Sequence, residues 1–162
     1  MPVPALNARA LAGWALAAAL LCAPAAAGAA CSVSATAVSF GSYNPLSPLN
    51  TDATGTVTVT CSGLLNVLVS YEILLSRGGA GTYTPRRMAC GSNTLNYNLY
   101  TDITRTTIWG DNTGGSSRVT GSILVQLLVP TSNLHTVYGR IPAQQNAAAG
   151  TYADSITVTV NY

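Results

Sequence analysis

From residue 156 to its end the chain reads I-T-V-T-V-N-Y. Ile156, Val158, Val160 and Tyr162 alternate with Thr157, Thr159 and Asn161. A period of two with β-branched residues at most positions specifies a half-buried β-strand. An apolar strand edge left open templates pairing with other chains, and proteins blunt such edges with charge, proline or a cover. The last six residues contain neither a charge nor a proline. Either an earlier strand covers this edge or another protein does.

The front of the chain has a different character. One cation, Arg9, precedes an apolar run at 11–23 and the small-residue tract A-P-A-A-A-G-A-A. This predicts a secretory signal peptide over residues 1–27, with cleavage as late as residue 30. The apolar run is too short for an integral membrane anchor. Residues 28–162 are then one domain by length. After the leader there are six arginines, five acids, one histidine and no lysine. A balance this close to neutral disfavours nucleic acid as a partner. It also leaves little repulsion between protein surfaces.

Three cysteines follow the leader: Cys31, Cys61 and Cys90. In an oxidising compartment two of them pair. Cys31 opens the first expected strand and Cys61 closes the second, so adjacent strands bring these two together. Cys90 is left either as a buried thiol or for an intermolecular bond.

Alternating segments recur along the chain. They lie at 31–40, with a shift of register near Thr36, and at 55–61, 64–76, 95–100, 118–129 and 136–141, before the closing strand. Loops with Pro, Gly, Asn and Asp separate them. No segment carries a helical period. The pattern predicts an all-β fold, an immunoglobulin-like antiparallel β-sandwich of seven or eight strands, with no substantial helix after the leader.

Reactive groups are few. His135 is expected in an exposed loop, with no nucleophile motif to serve. Asp52, Asp102, Asp111 and Asp154 sit in turn contexts. Arg86 and Arg87, near Tyr83, are read as a solvated loop. No zinc or calcium spacing and no phosphate-cradling glycine loop appear. The sequence therefore predicts no catalytic residues, no metal site and no cofactor.

Four segments together carry a family resemblance: C-S-V-S-A-T-A-V-S-F-G-S-Y-N-P from Cys31, N-T-L-N-Y-N-L-Y-T-D-I-T-R-T-T-I-W-G-D from Asn93, Y-G-R-I-P from Tyr138, and G-T-Y-A-D-S-I-T-V-T-V-N-Y from Gly150. In combination they resemble the spore coat protein U domain, a family that includes subunits of archaic chaperone–usher pili. The resemblance implies an incomplete immunoglobulin-like sandwich lacking its last strand. A periplasmic pilus chaperone, an outer-membrane usher and neighbouring pilus subunits are the implied partners, and secretion to the periplasm and then the cell surface is the implied route. Assembly would proceed by β-strand addition. By the same resemblance Ile156, Val158, Val160 and Tyr162 form one wall of a strand-acceptor groove, and the disulfide maps onto Cys31 and Cys61.

The chain departs from that pattern at its start. A strand-donating subunit needs about ten alternating residues before its first cysteine, by the length of an ordinary strand. Here at most Gly28, Ala29 and Ala30 follow the expected leader. The expectation is a tip-like or non-donating subunit of a fimbria or coat that supports adhesion or biofilm formation. The alternative is a stand-alone coat or carbohydrate-binding module whose sandwich is complete by itself.

Overall fold

The computed structural model describes residues 28–64 and 66–162; the expected leader lies outside the described residues. Eight strands follow in order: β1 (Ala30–Thr36), β2 (Thr51–Ser62), β3 (Val67–Leu75), β4 (Arg86–Cys90), β5 (Asn93–Tyr100), β6 (Val119–Val125), β7 (Thr131–Ile141) and β8 (Val158–Asn161). They form two antiparallel sheets with no helix among the described residues. The larger has the order β1-β2-β7-β5-β4 and the smaller β6-β3-β8. The fold is the expected all-β, immunoglobulin-like sandwich.

Alternation in the sequence becomes the core. Val57, Val59 and Cys61 of β2 face Tyr71, Ile73 and Leu75 of β3, with Leu95, Tyr97 and Leu99 of β5 and Val137 and Ile141 of β7 filling the space between sheets. Trp109 comes from the connection between β5 and β6. It is buried, and its indole N–H donates to the Ile73 carbonyl at 3.0 Å. The β1–β2 register places Cys31 opposite Cys61, and the two are joined in a disulfide. On the outer face, Asp52 of β2 lies opposite Arg140 of β7 and accepts two guanidinium hydrogen bonds at 2.8 Å. These bonds hold the Asp52 carboxyl below its ordinary pKa, and the nearby Arg105 guanidinium adds to the effect.

Five readings of the sequence need correction. Asp52 lies in no turn: it is on β2, paired with Arg140 of β7. His135 lies in no exposed loop: β7 begins at Thr131, and His135 is half-buried opposite Val57. Arg86 belongs to no solvated loop: it lies on β4 and is fully buried. Its guanidinium donates to the carbonyls of Ser76 and Trp109 and to Asn98 Oδ1, and it stacks 4.8 Å from the centroid of the Tyr83 ring. A charge is tolerated in a core only when its hydrogen bonds are made, and here they are. The strand expected over 118–129 ends its ladder with β3 at Val125, and beyond it Leu127 makes an isolated parallel bridge to Gly63. Finally, the closing strand's ladder is short, spanning Val158–Asn161 against β3.

Candidate strand-acceptor groove

The pairing of β8 fixes which of its backbone groups are used. The Ser76 amide donates to the Thr157 carbonyl at 3.0 Å, and the ladder continues in register through Leu74–Thr159 and Glu72–Asn161. In an antiparallel pair, successive residues direct their N–H and C=O groups to opposite sides. Thr157, Thr159 and Asn161 therefore face β3. Ile156, Val158 and Val160 present their amides and carbonyls on the other side, where among the described residues no backbone partner meets them. The same three residues turn their side chains against the core.

Across from this edge runs residues 37–43, which continue from β1. The pairing of β1 with β2 ends at Thr36, whose hydroxyl meets that of Thr56 at 2.8 Å. Beyond it the backbone of 37–43 pairs with no strand among the described residues. Its side chains nevertheless belong to the interior. Val38 and Phe40 lie over Gly139, where a β-carbon would stand 2.7 Å from each. A β-carbon on Gly55 would stand 2.6 Å from the Thr36 carbonyl oxygen. The missing side chains of Gly55 and Gly139 are thus what let this segment settle onto the sheet. Phe40 packs edge-on to Tyr97, with ring centroids 6.1 Å apart.

Between the two unpaired backbones lies a cavity of about 1030 Å³. Its walls are Val38, Phe40 and Tyr43 on one side and Ile156 and Val158 on the other; its floor includes Leu75, Met88, Leu95, Tyr97, Leu99 and Val137. One end is bounded by the small residues Ala147, Ala148, Ala149 and Gly150. Asp154 is the one charged residue on the lining among the described residues. Its carboxylate is occupied by the Tyr97 hydroxyl at 2.7 Å and by the amides of Gly79 and Ser155, each at 2.8 Å. Burial raises the Tyr97 pKa, and the bond to Asp154 raises it further. The cavity thus has an apolar floor and walls, with unused backbone on both long rims. That combination suits an extended peptide whose alternate side chains are apolar.

The residues expected to line a groove are placed unequally. Ile156 and Val158 line the cavity. Val160 packs on the core farther along β8 and is not on the lining. Tyr162 is 60% exposed, beyond the end of the ladder. The second rim, residues 37–43, went unseen as a site in the sequence. Its only signal was the alternation V-S-F after the register shift. Cys90 is free and partly buried at the end of β4.

Comparison with known proteins gives three findings. A family model described as Spore Coat Protein U domain matches residues 17–159. Protein U of Myxococcus xanthus is 34% identical over 148 residues, covering 83% of this chain and 79% of that protein. Among solved structures, the chaperone–tip adhesion subunit pre-assembly complex CsuC–CsuE, from archaic chaperone-usher Csu pili of Acinetobacter baumannii, matches with a TM-score of 0.55 at 22% identity. That match covers 83% of this chain and 40% of the other, so the chain spans less than half the length of its structural neighbour. At that identity the likeness is one of fold.

Proposed function

The chain belongs to the Spore Coat Protein U domain family, and on that premise we propose that it is a secreted structural subunit of a cell-surface fimbria or coat, assembled by β-strand complementation. A periplasmic chaperone lends the missing strand, an outer-membrane usher receives the complex, and a neighbouring subunit then replaces the lent strand. One observation carries the proposal: the unpaired edge at Ile156, Val158 and Val160 faces an unpaired segment at 37–43 across an apolar cavity. A strand placed there satisfies backbone groups on both sides and fills the cavity with its alternate side chains. The chaperone–subunit complex among structural neighbours supports the same reading. So does the lining of the cavity, whose one charged residue among the described residues, Asp154, is already hydrogen-bonded.

The short stretch between the expected leader and Cys31 supports a tip-like role, in which the subunit receives a strand and donates none. Adhesion and biofilm support follow as roles of such a subunit.

Co-expression with a candidate periplasmic chaperone tests the proposal. The expected result is co-purification that Val158→Asp abolishes, because a carboxylate on the groove wall is desolvated without a partner. A chain that purifies alone as a stable monomer, and ignores every candidate chaperone, contradicts it.

A further inference from the structure

The rim formed by 37–43 has no backbone ladder to hold it, yet it follows a defined path to its far end, where one side chain is tied down. The Tyr43 hydroxyl donates to the Pro142 carbonyl at 3.0 Å and accepts the Gln145 amide at 2.7 Å. Gln145 is itself fixed to the larger sheet. Its side-chain amide donates to the Asn96 carbonyl and accepts the Asn96 N–H, both at 2.9 Å. β7 ends at Ile141, so this amide continues the hydrogen bonding of β5 where β7 has stopped. The clasp therefore runs from the rim through Tyr43 and Gln145 to β5. Tyr43 and the nearby 147–150 stretch both line the cavity, so the clasp sits at one end of the groove.

We propose that Tyr43 is a positioning residue for strand capture: its hydroxyl holds the 37–43 rim in its strand-accepting place while the groove is empty. The inference rests on the strand-acceptor reading above. Its physical content is preorganisation. A rim already in place costs an incoming strand nothing to order, whereas a released rim lowers the fraction of molecules competent to bind and weakens capture by that fraction. At the rim's near end, the Thr36–Thr56 pairing does the same work. Val38 and Phe40 hold the middle by packing alone.

The test uses an extended chain that supplies its own strand. Tyr162 is followed by Asn-Gly, which favours a two-residue hairpin turn, and then by V-T-V-T-V-T-V. Tyr162 shares the outward backbone parity of Val158 and Val160, so such a hairpin places the appended valines on the cavity side. Thermal unfolding midpoints are measured for the natural chain, the extended chain, and each with Tyr43→Phe, which keeps the ring and removes only the hydroxyl. With Tyr43 present, the extension raises the midpoint. With Tyr43→Phe, that rise is smaller by about 5 °C, the coupling expected for about two lost neutral hydrogen bonds in a domain of this size. A residue that merely stabilises the fold lowers both midpoints equally and leaves the rise unchanged; an unchanged or larger rise overturns the proposal. No rise even with Tyr43 present overturns the strand-acceptor reading, and this inference with it.

Discussion

The Tyr71 hydroxyl lies 2.8 Å from His135 Nε2, a hydrogen bond that joins β3 of one sheet to β7 of the other. The amide of Asn133 donates to the same hydroxyl at 3.0 Å, which leaves the Tyr71 proton for the imidazole. His135 is thus held as a neutral acceptor. Trp109 packs edge-on to it at 6.5 Å, and burial pushes its pKa below the ordinary 6.5.

Acid sensitivity follows from this burial. The unfolded imidazole takes a proton as pH falls through about 6.5, while the folded one does so only at a lower pH. Between the two values the unfolded state binds more protons. The His135 contribution to stability is therefore complete above about 6.5 and is lost as pH falls through the depressed folded value. Urea midpoints between pH 5 and 8 should decline on the acid side. His135→Gln keeps an acceptor for Tyr71 and does not titrate, so it should flatten that decline.

Arg86 supplies a second prediction. Its guanidinium satisfies Asn98 Oδ1 and the carbonyls of Ser76 and Trp109 in a space with no solvent exposure. Arg86→Met removes the donors and leaves those acceptors buried. The expected loss is about 3 kcal/mol or more, read from chemical denaturation. Arg86→Lys should recover little of it, since an ammonium lacks the fork that reaches all three partners.

Gly55 is a packing requirement rather than a turn. A β-carbon there meets the Thr36 carbonyl oxygen at 2.6 Å, a backbone atom that cannot rotate aside. Gly55→Ala should cost roughly 1–3 kcal/mol as an overpacked position. Because the displaced segment leads into the 37–43 rim, it should also reduce strand capture.

The Cys31–Cys61 bond closes a separation of 30 residues. Chain entropy puts its contribution at about 3.5 kcal/mol in the loop-closure account. The double variant Cys31→Ser, Cys61→Ser should lose close to that amount in denaturant titration. Adding reductant to the natural chain should reproduce the loss, while Cys90→Ser should leave the titration nearly unchanged.

Much of the sandwich was legible because its strands obey a period of two. Val57, Val59 and Cys61 declare the inner face of β2, and Leu95, Tyr97 and Leu99 that of β5. One strand and the first half of another were hidden by polar residues on the inside. β4 begins with Arg86, which reads as surface and is core. The first half of β7 exposes Leu134, while Asn133 and His135 turn toward Tyr71, the reverse of the usual pattern. One side of the cavity was legible as an alternating strand at Ile156 and Val158. The other was not, because residues 37–43 form no ladder, and the Tyr43–Gln145 clasp joins positions about a hundred residues apart. Sequence periodicity reports burial along one strand and carries no information about which backbone edges stay unpaired.

Amide hydrogen exchange on β8 tests the central claim most directly. In the isolated chain, Thr159 and Asn161 should be protected by β3, while Ile156, Val158 and Val160 exchange fast. On binding a chaperone or on appending a strand, those three amides should become protected together, turning an alternating pattern into a continuous one. If they are already slow in the isolated chain, or stay fast when a partner is bound, the groove does not receive a strand along this edge.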